Sequence, residues 1–155
     1  MLTVSDRVSR GAAEDTSGDA LAELLGSDGY DVVRRVVADE LDRIRSSIEE
    51  LSLQADLVLT TGGTGVAPRD VTPEATHELL ERQVPGIPEA LRRDAAAKTP
   101  HGLLSRGVAG IVNGALVVNL PGSPGGSRDG YGVIRHALPH ALALLADEPT
   151  EHEQT

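Results

Sequence analysis

The sequence predicts an α/β protein in which a parallel or mixed sheet is covered by helices. Three observations carry that expectation. Strand-like and helix-like segments alternate along the chain. The core has almost no aromatic material, with no Phe, no Trp and only Tyr30 and Tyr131, so Leu, Val, Ile and Ala must pack in thin layers. Residues 55–63, ADLVLTTGG, form an apolar run ending in glycine, as a strand buried on both faces does. A chain of 155 residues that is 39% hydrophobic suffices for one domain, expected over residues 1–146 and followed by an acidic, disordered tail at 147–155.

LTVSD (2–6) reads as a first strand and SRGAAEDTSG (9–18) as a polar loop. Asp15 or Thr16 then caps a helix whose apolar side carries Leu21, Leu24 and Leu25 and which ends near Gly29. YDVVRRVVA (30–38) has the β-branched content of a strand, in which Arg34 and Arg35 must point to opposite faces. Asp39 opens the next helix, where Leu41, Ile44, Ile48 and Leu51 recur at the spacing of one buried face. After the strand at 55–63, helices are expected over 73–83 and about 88–98, separated by VPGIP, whose prolines forbid a continuous helix. GVAGIV (107–112) and ALVVNL (115–120) flank Asn113-Gly114, a hairpin signal. PGSPGGSRDGYG (121–132) is a glycine-rich loop leading into a last helix with Ile134, Leu138, Ala141 and Leu145.

Composition narrows the function classes. The net charge of −10, about −6 without the acidic residues of the tail, argues against nucleic acid as a partner. The absence of cysteine excludes disulfides and thiolate metal sites. No apolar run is long enough for a membrane span and no signal-peptide core stands at the start, so a cytoplasmic protein is expected. His136 and His140, four apart, read as surface or interface residues.

TTGGTGVAPRDVTPEAT (60–76) holds the chemistry. Glycines between a strand and a helix let main-chain N–H groups approach an anion at the carboxyl edge of the sheet. The dinucleotide fingerprint fails because Pro68 takes the place of its third glycine. The nucleoside-triphosphatase loop fails because Lys98 is the only lysine in the chain. Thr72-Pro73-Glu74 supplies its own helix start, which leaves Asp70 over. A carboxylate beside an anion loop suits a divalent cation between them, or else Asp70 pairs with Arg69 or caps a turn. A second loop, Pro121 to Ser127, follows an apolar strand and offers helix N–H groups with Ser123 or Ser127 to another phosphate, or is shaped by turn chemistry alone. From the residues alone, Asp39 reads as a helix cap.

These segments resemble the MogA/MoaB family of molybdenum cofactor biosynthesis proteins, also found as the G domain of gephyrin-like proteins. TTGGTG with RDVTPEAT carries the likeness, and TVSDRVSRG, EDTSG, VADE, PGIPEALRR, LLSRGVAGI and NLPGSPGG agree in order from about residue 3 to residue 146. The layout is the compact MoaB-like one, with a first strand shorter at its start than is usual in the family. The resemblance implies a three-layer α/β sandwich with a mostly parallel mixed sheet, a homotrimer, and Mg²⁺-dependent adenylylation of molybdopterin by ATP, with a molybdenum-insertion protein as a possible partner. It makes Asp39 and Asp70 the catalytic acids and Mg²⁺ ligands. Thr61, Gly62, Gly63, Thr64 and Gly65 would then cradle phosphates. Ser5, Asp6, Arg7, Ser105 and Arg106 would line the same pocket, and Pro121, Gly122, Ser123, Pro124, Gly125 and Gly126 its other wall. The alternative is a carrier that binds molybdopterin without catalysis.

Overall fold

The computed structural model describes residues 1–147; of the expected acidic tail, all but Asp147 lies outside the described residues. In chain order the elements are β1 (Leu2–Val4), α1 (Asp6–Ser9), α2 (Thr16–Ser27), β2 (Arg35–Val37), α3 (Leu41–Ser52), β3 (Leu57–Thr61), α4 (Thr72–His77), β4 (Arg82–Gln83), α5 (Gly86–Lys98), a 3₁₀ turn (Pro100–Leu104), β5 (Ala109–Val112), β6 (Ala115–Leu120), α6 (Pro124–Ile134) and α7 (Leu138–Leu145). One six-stranded sheet runs β2-β1-β3-β6-β5-β4. The pairs β2–β1, β1–β3 and β3–β6 are parallel, while β6–β5 and β5–β4 are antiparallel. The expected α/β architecture with a mixed, mostly parallel core is therefore present.

Strand alternation divides the core in two. On one face Leu59, Leu116, Val118 and Leu120 pack with Leu21 and Leu25 of α2, Tyr131 and Ile134 of α6 and Leu138 of α7. On the other, Val58 and Val117 meet Ile44, Ile48 and Leu51 of α3 and Ala75 of α4. The spacing of Ile44, Ile48 and Leu51 thus buries one stripe of α3, each side chain contributing about 1.5–3 kcal/mol. Ile48→Ala, at a fully buried position, would cost about 2–5 kcal/mol. The sole large aromatic in the core, Tyr131, donates its hydroxyl to Asp28 Oδ2 at 2.6 Å and so ties α6 to the end of α2.

Several boundaries differ from expectation. The strand expected at 30–38 shrinks to Arg35–Val37, because β2 is an edge and Tyr30 to Arg34 run into it without ladder pairing. Arg34 and Arg35 do take opposite sides, Arg34 pairing with Asp15 and Asp19 and Arg35 with Glu50 on α3. The glycine-rich segment 121–132 is mostly helix: Ser123 caps α6 by accepting from Gly126 N, with Pro124 in the first turn. The expected final helix is two, α6 and α7, with Pro139 in the first turn of the second. His136 falls in the break between them, and both it and His140 are exposed. The helix expected at 73–83 stops at His77, and Arg82–Gln83 join the sheet instead.

Candidate functional site

Four of the segments singled out lie at the carboxyl ends of parallel strands, while Ser105 and Arg106 lie between the 3₁₀ turn and β5. β1 leads into Ser5 and Asp6, β2 into Asp39, β3 into Gly62 to Gly65 and β6 into Pro121 to Gly126. The connections from β1 to β2 and from β2 to β3 pass on opposite faces through α2 and α3, so the strand order reverses beside β1. Open α/β sheets bind ligands in the crevice such a reversal creates.

The end of β3 is held from both faces. Thr61 Oγ1 donates to Pro121 O at 2.7 Å and lies 2.9 Å from Ser127 Oγ, which also donates to Pro121 O. On the opposite face Asn119 Nδ2 donates to Thr60 Oγ1 and Thr76 Oγ1, both at 3.0 Å, while its Oδ1 accepts from Val108 N. These polar groups are buried and satisfied, which makes the platform under the loop rigid. The chain then turns through Gly62 (φ 107°) and Gly63 (φ 65°). A Cβ at Gly62 would sit 2.2 Å from Val4 O, and one at Gly63 would sit 2.4 Å from Thr72 Oγ1. Only glycine fits either position.

Thr72 does not cap α4 as the sequence suggests. Val71 occupies the cap position, and Thr72 directs its hydroxyl to Gly62 O at 2.9 Å while its N–H donates to Gly63 O at 3.1 Å. The threonine is spent on holding the glycine turn. The N–H groups of Gly63, Thr64 and Gly65, by contrast, donate to no acceptor among the described residues.

Three carboxylates border this turn. Asp39 does not cap α3, since Glu40 holds that position without a side-chain bond. Its Oδ2 instead accepts from Asp6 N at 2.7 Å, and its own N–H donates to Asp6 Oδ1 at 3.1 Å. Asp39 Oδ1 lies 3.2 Å from where a Cβ of Gly63 would be, and Asp70 Oδ2 lies 2.8 Å from the corresponding point on Gly65. Both acids therefore flank the glycine loop. Asp70 Oδ2 also accepts from Ala67 N at 3.0 Å and so closes the turn at 67–70. Burial pushes the Asp39 carboxyl above its usual range, and the charges of Asp6 and Asp70 push the same way. Arg69 pairs with Asp6, not with Asp70, and holds the Asp6 carboxyl below its usual range.

The remaining predicted residues divide into bracing groups and a second wall. Ser5 Oγ caps α1, and Arg7 is exposed on that turn. Arg106 donates to Gly65 O at 2.7 Å and Asp70 O at 2.6 Å, pairs with Glu74, and through its main chain donates to Thr64 O. Its guanidinium is consumed in holding the loop. Ser105, Pro121, Ser123, Gly125 and Gly126 line a cavity of about 280 Å³ together with Arg92 and Lys98 of α5. Neither Asp39 nor Asp70 lines it, so cavity and acidic rim are adjoining parts of one edge. Gly122 stands between them, a Cβ there falling 3.0 Å from the Gly62 Cα. Pro124 begins α6.

The donor set suits Mg²⁺ more than a softer ion. No group of three or more His, Cys, Asp or Glu side chains is arranged as a complete metal cage among the described residues. Mg²⁺ needs only one or two carboxylates when phosphates supply the rest of its shell. The observation that favours a cation there is that Asp39 Oδ1, facing the Gly63 turn, accepts no hydrogen bond among the described residues, while Oδ2 is held by Asp6 N. Sequence reasoning missed the bracing by Arg106 and the contact of Arg69 with Asp6. The only available signal was that Arg69 is the sole basic residue between Thr60 and Thr76.

Comparison with known proteins adds to this geometry. A family model described as a probable molybdopterin binding domain matches residues 1–140. The chain is 42% identical to a gephyrin of Dictyostelium discoideum, an alignment covering 96% of the chain and 22% of that longer protein. It is 40% identical to a molybdopterin adenylyltransferase of Helicobacter pylori, covering 94% of the chain and 85% of the relative. The crystal structure of the molybdopterin biosynthesis enzyme MoaB from Thermus thermophilus superposes with a TM-score of 0.88 at 46% identity, covering 96% of this chain and 95% of that one.

Proposed function

The chain belongs to the molybdopterin-binding family that includes MogA and MoaB, and on that premise we propose that it is a molybdopterin adenylyltransferase acting in molybdenum cofactor biosynthesis in the cytoplasm. The terminal phosphate oxygen of molybdopterin attacks the α-phosphorus of ATP. The bond to the bridging oxygen breaks, and pyrophosphate leaves with that electron pair. Little covalent work falls to the protein, so positioning and charge neutralisation supply the rate.

One observation carries this reading: two acids flank a glycine loop in which the N–H groups of Gly63, Thr64 and Gly65 have no acceptor among the described residues, at the reversal point of the sheet. In this assignment the amides of Gly63, Thr64 and Gly65 bind phosphate oxygens, and Arg106 keeps the loop in shape from behind. Asp39 and Asp70 would hold Mg²⁺, which when bound neutralises the charge that develops on the polyphosphate. The cavity lined by Ser105, Ser123 and Gly126 receives the remainder of the nucleotide or the pterin. A molybdenum-insertion protein is the proposed recipient, and a homotrimer the proposed assembly, which light scattering checks directly.

The second reading, a molybdopterin carrier, draws on the bond from Ala67 N to Asp70, which gives that acid a structural duty. Incubation with molybdopterin, ATP and Mg²⁺ separates the two. An adenylyltransferase releases pyrophosphate only when all three are present, whereas a carrier binds the pterin and releases none.

A further inference from the structure

We propose that Arg69 is a working residue of this edge: at rest it neutralises the acidic rim, and it transfers to the polyphosphate when a divalent cation takes over the acids. The inference rests on the adenylyltransferase reading for its second half, and on the geometry of the rim for its first. Arg69 grips Asp6 with a fork, Nε to Oδ2 at 3.0 Å and Nη2 to Oδ1 and Oδ2 at 2.8 Å each. The same Asp6 Oδ1 accepts from Asp39 N, so Asp6 lies between the guanidinium and the acid assigned to the cation. Of Asp6, Asp39 and Asp70, only Asp6 forms an ion pair with a basic side chain among the described residues, and that side chain is Arg69; its charge reaches Asp39 through space. Arg10, the other cation near Asp6, is spent on the Asp6 carbonyl.

Arg69 is also built to leave. Its side chain is 62% exposed while that of Asp6 is 23% exposed, so the guanidinium covers the acid from the solvent side and its departure opens no cavity. The backbone on either side of it is fixed: Asp70 N donates to Ala67 O and Asp70 O accepts from Arg106. Rotation about side-chain bonds is therefore the motion available to it. A solvent-exposed fork of this kind is a weak tie, and a doubly charged ion arriving with polyphosphate readily displaces it. Once released, a planar guanidinium carried by the same loop as Asp70 is suited to the leaving pyrophosphate, as arginines serve in other phosphoryl transfers.

The test uses the whole chain as wild type, Arg69→Gln and Arg69→Lys. Mg²⁺ alone is titrated calorimetrically without nucleotide, and pyrophosphate release is measured separately. With its resident counter-ion removed, Arg69→Gln should bind Mg²⁺ roughly three- to tenfold more tightly. Its kcat should fall at least about tenfold, with a smaller change in KM for ATP. Arg69→Lys, which keeps the charge and loses the fork, should fall between the two in both measurements. Equal Mg²⁺ affinity in wild type and Arg69→Gln overturns the counter-ion role, and an unchanged kcat overturns the transfer to polyphosphate. A wild type that releases no pyrophosphate defeats the adenylyltransferase reading instead, and the Mg²⁺ titration still decides the counter-ion role.

Discussion

Asp6 and Asp39 exchange main-chain hydrogen bonds through their carboxylates, Asp6 N to Asp39 Oδ2 at 2.7 Å and Asp39 N to Asp6 Oδ1 at 3.1 Å. This reciprocal pair fastens the chain leaving β1 to the chain leaving β2 just past their last ladder bond, from Ser5 N to Val37 O. It also forces two negative charges together at the sheet edge. The stability of the resting protein and its affinity for a cation are thereby opposed.

The Asp39 carboxyl is raised, so the folded protein holds a proton that the unfolded chain has already released as pH climbs through the ordinary aspartate range. Its contribution to stability is thus present below that range and lost as pH rises through the raised folded value. Asp39→Asn keeps an oxygen that accepts from Asp6 N and removes the charge. Without Mg²⁺ at pH 7 it should be more stable than wild type by on the order of 0.5 kcal/mol, a solvent-screened charge effect. Thermal melts at pH 7 and near pH 3.5 check this, and the difference should vanish at the lower pH. Asp6, lowered chiefly by its bond to Arg69, has the opposite sign: its contribution is present above the ordinary range and lost as pH falls through its folded value.

Asp70→Asn retains an acceptor for Ala67 N, so the turn at 67–70 should survive and the melting temperature should stay close to wild type. Pyrophosphate formation should fall by about a thousandfold, the scale of losing a group that neutralises transition-state charge. Pterin binding, measured by equilibrium dialysis, should persist.

Two glycines provide a contrast in cause. Gly62→Ala would place a methyl 2.2 Å from Val4 O at φ 107°, and should cost about 3 kcal/mol or more by melting. Gly132→Ala, inside α6 with nothing within 4 Å of the new methyl, should stabilise by up to about 1 kcal/mol.

Arg106 reaches two loop carbonyls and Glu74 with one planar group. Arg106→Lys cannot span them, and should lower stability by about 1–2 kcal/mol after allowance for its partial exposure. It should also raise KM for ATP, because the amides of Thr64 and Gly65 lose their fixed direction. Urea melts and initial rates read both effects.

Much of this was legible in the sequence because it rests on local pattern. The Ile44, Ile48 and Leu51 stripe, the run at 57–61 and the Asn113-Gly114 turn each specify an element without reference to distant residues. The roles of Thr72 and Asp39 were not readable from pattern. Both look like helix caps, and each side chain is drawn away by a partner distant in sequence, Gly62 for Thr72 and Asp6 for Asp39. Arg69 and Arg106 belong to the same class, since an arginine in a sequence announces a charge and not the partner it will grip. The split between α6 and α7 was misread because Ile134, Leu138, Ala141 and Leu145 keep nearly helical spacing across the break.

The most direct measurement follows the label from α-³²P-ATP incubated with molybdopterin, Mg²⁺ and the protein. Adenylylation of the pterin through the Asp39–Asp70 rim predicts label on the pterin with an equal amount of unlabelled pyrophosphate, and neither with Asp70→Asn. Pterin that binds the wild-type protein yet stays unlabelled, or an Asp70→Asn variant that labels it at the wild-type rate, contradicts the account.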